Sequence, residues 1–499
     1  WKKTTADIGV VNRALPSRNG EIMQDTSKGS NPHRPLAASI AAILMISTPL
    51  AVAATTWNVN TCNEANTGSG TTGSLRYAAA NAISGDTIQI GPGLACSTIT
   101  LATGAILFPQ ADITVNGPGK TALTVSGGDN RVFRHSGSGT LTLKNLSVAN
   151  GYYHPSVGVP AYGGCINSNG KVTLDHVSLH ACRAASVQAA VRGGGVYAKD
   201  NVYVKYSEVS GNAASSSSSA NSNGGGGGIF GLKDVTIESG STVSGNSAAT
   251  GAGGGVRAFG SVLVIGSTIS GNTAMRGGGI YERNLFTSPS NTTAVVNSTI
   301  SGNLGTSLVG GMWTNAGTID VKNSTVAFNS AGSGAVYSKH YSPGFNVDDL
   351  GAYYTDISHY EFKVVTLQSS VFSNNVSGTS TMTADDFGIT RFSNLNLVPV
   401  SGQNNLVFAA GYNTALPGAT VTLGVCPLLG PLRDNGGGTK THALSSGSFA
   451  IDHGNNTVPI SVDQRGSPFL RVSGAAADIG AYEVQQADVI FNNGHEGCS

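Results

Sequence analysis

The sequence predicts an all-β fold, a right-handed parallel β-helix with a capped N-terminal end, and three observations predict it. A six-residue phrase returns along the middle of the chain, a glycine cluster returns between its copies, and the composition suits stacked strands. The phrase reads SEVSGN at Ser207–Asn212, STVSGN at Ser241–Asn246, and STISGN at both Ser267–Asn272 and Ser298–Asn303. Degenerate copies follow as STVAFN, ending at Asn329, and SVFSNN, ending at Asn375, while LSVANG at Leu146–Gly151 is an earlier relative. Asn212, Asn246, Asn272, Asn303, Asn329 and Asn375 are 34, 26, 31, 26 and 46 residues apart. Units of that length, each alternating β-branched and polar residues and closing on Gly and Asn, are strand-and-turn repeats. Stacked in register, such repeats contact only their neighbours and form a solenoid.

Each part of the unit has a physical reason. The central apolar residue of S-T-I-S-G-N points inward and stacks on its equivalent in the next coil, which is worth roughly 1.5–3 kcal/mol per residue. The flanking Ser and Thr face outward. Gly-Asn suits a turn needing positive φ, and Asn repeated at one place can also form a side-chain amide ladder. The clusters GGCI (from Gly163), GGGVY (Gly193), GGGIF (Gly226), GGGV (Gly253), GGGIY (Gly277) and GGMW (Gly310) suit a tight corner with no room for Cβ. They lack the preceding strand, following helix and Lys-Ser/Thr pair of a phosphate loop, so nucleotide binding is excluded. Asp386-Phe387-Gly388 likewise stands without the rest of a kinase signature.

Composition agrees. The chain has 69 glycines and 11% charged residues, against roughly 7% Gly and about 25% charged in globular domains. A formal charge of +1 offers no basic surplus for nucleic acid. Glycine lacks the every-third-residue period of collagen, and the wealth of Val, Ile and Thr argues against disorder.

Leu36–Ala54 is apolar, follows Lys28, His33 and Arg34, and ends on Ala51-Val52-Ala53, an A-x-A site. This pattern predicts a secretory signal peptide cut at Ala53 or Ala54, with Met23 as its start. A transmembrane anchor is the weaker reading, because the stretch barely reaches the ~20 apolar residues of a span. No other stretch could span a membrane, so the mature chain is expected without a transmembrane helix. Six cysteines in an exported chain favour disulfides over free thiols. Many connectivities are open. Short loops favour Cys62–Cys96 and Cys165–Cys182, which leaves Cys426–Cys498.

These divisions order the chain. Residues 1–54 are an upstream segment and signal peptide, 55–130 a cap and first coils, and 131–410 the β-helix with an insert at 336–363. Residues 411–484 form a distinct C-terminal region and 485–499 a tail.

The repeats resemble those of polymorphic outer-membrane-protein and related bacterial right-handed β-helix proteins. SLRYAAANAISGDTIQI (Ser74–Ile90) resembles the segment in which such proteins cap the open end with an amphipathic helix and run Gly-Asp-Thr-Ile into the first strand. Leu429–Ala450, LGPLRDNGGGTKTHALSSGSFA, is followed by Ile451-Asp452-His453-Gly454, Asp463-Gln464-Arg465-Gly466 and Asp478-Ile479-Gly480-Ala481-Tyr482-Glu483. That succession resembles the C-terminal region of the choice-of-anchor Q family, with Phe449 where the family usually has Pro. The resemblance implies an exported, surface-attached or released β-helix and defines no reaction. The tail Asp488–Glu496 resembles a short Ile-Phe-x-x-Gly-Phe-Glu ending of some secreted proteins, with His495 in place of Phe.

For function, the acids of residues 140–335 (Asp175, Asp200, Glu208, Asp234, Glu238, Glu282 and Asp320) do not recur as a coil-to-coil pattern, and each reads as a solvated position. His176 and His180 read as exposed polar residues rather than metal ligands. Ser215–Gly228 reads as a flexible loop. Val336–Lys363 breaks the repeat and carries seven aromatics in 28 residues. There Tyr341, Tyr353, Tyr354 and Tyr360 are candidate ligand contacts, by ring stacking on sugars. Asp348, Asp349, Asp356 and Glu361 are candidate catalytic carboxylates. The alternative is an ordinary extra coil whose aromatics pack on the exterior. The leading expectation is a non-enzymatic extracellular or outer-membrane-associated scaffold or adhesin-like protein, monomeric and without cofactor or metal, that binds polysaccharide or cell surfaces. A polysaccharide lyase, with Ca²⁺, or a glycoside hydrolase is the alternative. A purely structural envelope protein is a further one.

Overall fold

The computed structural model describes residues 53–217, 224–283, 291–332, 345–348 (as backbone), 364–377, 383–390, 399–411, 416–457, 460–486 and 497–498. They form a parallel β-solenoid. One sheet of 24 strands, one of ten and one of nine make three faces, called first, third and second here. A coil can be followed from Val196–Ala198 on the third face to Val202–Lys205 and Glu208–Ser210 on the first. It then passes through Ala213–Ser216 on the second and returns at Ile229–Gly231 to the third. Strand-to-parallel-strand crossovers of this kind take the right-handed sense that strand twist imposes.

Stacking is in register. On the first face Val209, Val243, Ile269, Ile300, Val326 and Phe372 form one inward column, and all are fully buried. The outermost rungs of the first face are Thr56–Val59, which pairs with Thr87–Ile90, and Val421–Leu423, which pairs with Asn405–Val407. Thr87–Ile90 is therefore not the first strand. The expected cap is a helix, Leu75–Asn81, whose N-cap Ser74 accepts from the Tyr77 N–H and which buries Leu75, Ala78 and Ala79. Gln110 donates to the carbonyls of Ala79 and Ala82 at its end.

The asparagines differ from the turn role expected of them. The residue before each one takes the left-handed conformation, Gly211, Gly245, Gly271 and Gly302 at φ 61–64° and then Phe328 and Asn374. That residue resets the alternation, and the asparagine side chain points into the coil. Each Nδ2 donates to the next Oδ1, from Asn212 through Asn246, Asn272, Asn303 and Asn329 to Asn375, at 2.8–2.9 Å. The same Oδ1 atoms accept the backbone N–H of the preceding rung's asparagine. Asp386 ends the ladder as an acceptor, taking the Asn375 N–H and Nδ2, with burial pushing its carboxyl up to about 6. The first Ser of the phrase also points inward rather than outward. Ser207, Ser241, Ser267, Ser298, Ser324 and Ser370 are buried, and each hydroxyl oxygen accepts the N–H of the rung before.

The glycine corner matches its expectation. A Cβ on Gly194 would lie 2.3 Å from the Gly227 carbonyl oxygen, and one on Gly254 2.4 Å from that of Gly278. All three expected disulfides are present, Cys62–Cys96, Cys165–Cys182 and Cys426–Cys498. Part of the insert is a regular rung. Phe345–Asp348 pairs between Met312–Thr314 and Phe387–Thr390 on the third face.

The C-terminal region is a clasp laid along the outside of the first face. A hairpin of Leu429–Arg433 with Thr441–Leu444 begins it. Asp463 and Arg465 form an ion pair at 2.7 Å with both side chains fully buried. The Arg465 guanidinium lies between the rings of Phe469 and Tyr482, 3.8 and 4.0 Å from their centroids. Asp478 accepts from the N–H groups of Asp452 and Val484, and Glu483 from those of Ser473 and Asp478. Burial, and then the charge of Asp478, raises Glu483 to about 7. The clasp docks by polar contacts on outward residues of the coils. Gln464 bonds Thr268 and Thr299, His442 bonds Ser301, and the Ala481 N–H donates to Thr325. Beside them Leu429, Leu444, Ala450, Ile479 and Tyr482 pack on Ala327, Val371 and Leu406. From Thr268 onward, the outward Ser and Thr are thus covered instead of facing solvent.

Two measurements test this architecture. Asn303→Ala leaves the Asn272 N–H and Nδ2 without their acceptor, and should lower stability by about 2–4 kcal/mol in guanidinium unfolding; outward Ser244→Ala should stay within about 0.5 kcal/mol. Burial lowers His442 to about 4, below the ~6.5 of an unfolded imidazole. Its contribution is full above pH ~6.5 and is lost as pH falls to 4, by about 3 kcal/mol. Asp386 and Glu483, raised in the fold, act oppositely and gain stability over the same acidification. Relative to wild type, His442→Gln should therefore gain about 3 kcal/mol between pH 7 and pH 4.

Candidate functional site

The clasp leaves the earlier rungs of the first face bare. There the outward positions carry Ser178 and His180, then Glu208 and Ser210, then Thr242 and Ser244. These are the rungs equivalent to Thr268 and Ser270, which the clasp covers. An open depression of about 510 Å³ lies on them, lined by Ser178, His180, Ala181, Glu208, Ser210, Gly211, Ser244 and Gly245. The floor is small because Gly211 and Gly245 occupy the left-handed corner and carry no side chain. At the edge, the Ser147 hydroxyl donates to the Ser178 carbonyl and bonds His180 Nε2 at 3.1 Å.

A shoulder of exposed aromatic residues adjoins the strip. Tyr203 and Tyr206 are 38% and 49% exposed. Tyr206 stacks on His176 with ring centroids 4.6 Å apart. Both stand at the bend between the two first-face strands with φ of 51° and 57°, where the following coils place Ser239 and Gly266. A bulky side chain in that conformation is a strained choice. His176 Nδ1 is 2.8 Å from Asp175, and Lys205 and Lys144 approach the other carboxylate oxygen at 3.3 and 3.6 Å. Burial would raise Asp175, but the bonds from His176 and Lys205 outweigh it and hold the carboxyl below its usual range.

The expected solvated acids divide. Asp200 pairs with Lys233 and Asp320 with Lys322, each at 2.7 Å. Glu238 is partly exposed on the first face. Asp234 accepts the Ser261 N–H, capping the next turn. Two acids, Asp175 and Glu282, are buried where a solvated position was expected. Asp175 is enclosed by the contacts with His176, Lys205 and Lys144, and the Glu282 carboxylate accepts from Thr314 Oγ1 and the Asn315 N–H. Glu208 is exposed and belongs to the depression. His176 and His180 take the surface positions expected of them. Among the described residues, no three His, Cys, Asp or Glu gather as metal ligands. Of the insert candidates, Asp348 lies on a third-face rung. Tyr341, Asp349, Tyr353, Tyr354, Asp356, Tyr360 and Glu361 lie outside the described residues.

Chemically, the strip offers hydroxyls, one imidazole and one carboxylate beside flat rings. Hydrolysis of a glycoside needs two carboxylates across the bond, and the described strip supplies Glu208. Hydroxyl hydrogen bonding and ring stacking are what the arrangement provides directly. Among the described residues, no helix is long and apolar enough to cross a membrane.

No family model and no curated protein matches the chain. A solved structure described as the crystal structure of pectate lyase Pel9A is similar at 16% identity and a TM-score of 0.37, covering 86% of this chain and 97% of that one. At that level the likeness adds nothing to the strand pairing, on which the fold assignment rests.

Proposed function

We propose that this protein is an extracellular β-helix that binds polysaccharide without turning it over, through the bare strip of the first face. The observation that carries the reading is the strip itself. It is a hydroxyl-lined depression with Tyr203 and Tyr206 exposed beside it, left open where the clasp stops. Three disulfides support an oxidising, extracellular setting. The apolar Leu36–Ala54 segment and the choice-of-anchor Q resemblance of the clasp motifs support export and surface association. Tyr206 and its stacking partner His176, held at strained corners, fit a surface kept for binding, since packing alone is met more easily by Gly or Ser.

The test is a glycan-array screen of the mature chain, followed by reducing-end and unsaturated-product assays on each hit. Tyr203→Ala with Tyr206→Ala should weaken binding roughly tenfold, as two lost ring contacts imply, while leaving the unfolding midpoint unchanged or raised. Product release that disappears in Glu208→Gln would replace this reading with a lyase or hydrolase. Binding that ignores both tyrosines would remove the strip from the function.

A further inference from the structure

The clasp shows which chemical group the outward columns of the first face accept. Glu208, Thr242, Thr268 and Thr299 stand in one column on successive rungs. The first two are bare and the last two are covered. Under the clasp, the side-chain amide of Gln464 spans adjacent rungs. Its Nε2 donates to Thr268 Oγ1 at 2.7 Å, and its Oε1 accepts from Thr299 Oγ1 at 2.5 Å. Thr268 gives its own hydrogen to the Lys440 carbonyl, which leaves it an acceptor toward Gln464. A carboxamide therefore has the reach to bridge two rungs about 4.8 Å apart. Its nitrogen faces the earlier rung and its oxygen the later one.

The bare pair presents the same arrangement with its polarity fixed. Glu208 is exposed and lines the depression, and Thr242 beside it is half-buried. Among the described residues, neither side chain has a hydrogen-bond or ion-pair partner. An ionised carboxylate only accepts, whereas a hydroxyl can donate. An amide placed here must turn its N–H to Glu208 and its carbonyl to Thr242, the sense that Gln464 adopts further along the column. The bond to a charged acceptor is roughly twice as strong as a neutral one. Glu208 also brings a negative charge that no cation of the strip offsets. Lys205 and Lys144 on the adjoining shoulder approach Asp175 instead. Uronates and sulfated sugars therefore meet repulsion at this point.

We propose that the strip recognises the acetamido group of an N-acetylated amino sugar, the amide N–H donating to Glu208 and the carbonyl accepting from the Thr242 hydroxyl. The inference rests on the polysaccharide reading of the strip and names the class of sugar it takes. Ser210, Ser244 and His180 line the same depression and serve the ring hydroxyls. A plain glucan has no amide and leaves Glu208 and Thr242 to water. The covered rungs hold an amide of the protein's own, and the bare pair takes that of the ligand.

The test compares the full chain's affinity, by calorimetry, for tri-N-acetylchitotriose, its fully deacetylated amine and cellotriose. The three share one backbone and differ only in carrying an acetamido, an amino or a hydroxyl group. At about pH 6 the amine is largely protonated. The acetamido trimer should bind about tenfold tighter than cellotriose, as one charge-assisted bond and one neutral bond imply. That preference should vanish in Glu208→Ala and fall severalfold in Thr242→Val, both at outward positions. Tyr203→Ala with Tyr206→Ala should weaken the acetamido and hydroxyl trimers alike and keep their ratio. Equal binding of those two trimers, or a preference that survives in Glu208→Ala and Thr242→Val, would overturn the proposal. Tightest binding of the amine would overturn it as well, assigning Glu208 an ion pair in place of an amide. Should none of the three bind while the glycan array yields another ligand dependent on Tyr203 and Tyr206, this inference fails and the binding strip stands. A chain that binds no glycan at all loses both.

Discussion

Everything in this molecule depends on satisfying polar groups inside a tube only a few side chains wide. The amide ladder from Asn212 to Asn375 does this in one dimension, because each side chain offers the oxygen its neighbour needs and the hydrogen its other neighbour needs. Each Nδ2 also reaches a carbonyl of the preceding coil, as Asn303 does to Ile269. Such a ladder requires defined ends. At the start Cys182 stands where an asparagine would, its N–H donating to Asn212 Oδ1 and its sulfur bonded to Cys165. At the end Asp386 supplies acceptors, with its second oxygen taking the Ala409 N–H. Buried networks of this kind are favourable only when complete, so the repeat tolerates variation in loop length far better than variation at its asparagines.

The repeat was legible because it recurs in the sequence; the direction of its side chains was less so. Period-two reasoning carries Ser241, Val243 and Gly245 to one side and would send Asn246 to the other. The left-handed conformation of Gly245 inserts a half-turn and returns Asn246 to the core, and that depends on backbone geometry rather than on pattern. Degenerate copies show the same rule. Phe328 and Asn374 occupy the left-handed position while Asn329 and Asn375 keep the ladder. The first two cysteine pairs followed from their short separations of 34 and 17 residues, and Cys426–Cys498 was the pair those two left.

The clasp was not legible as a clasp. Its motifs are ordered in the sequence, but Gln464 meets Thr268 and Thr299 across more than 150 intervening residues, and no local property of STISGN says that its outer side is covered. What separates the bare rungs from the covered ones is slight. Covered outward positions turn apolar late in the stack, at Ala327, Val371 and Leu406, whereas the bare ones carry His180 and Glu208. Glu208 looked like one acid among several because its neighbours in space are small hydroxyls contributed by other coils.

The bare strip reflects a general property of the solenoid. A column of outward residues one rung apart is a repeating array, and a polymer with a repeating backbone is the ligand that can use many rungs at once. The protein occupies most of the first-face array itself with its clasp, and the outward column of the third face is closed by its own buried rings, Tyr197, Phe230, Tyr281 and Trp313. What is left on the first face is a polar interruption, open to solvent, and the hydroxyls there lose little by waiting in water.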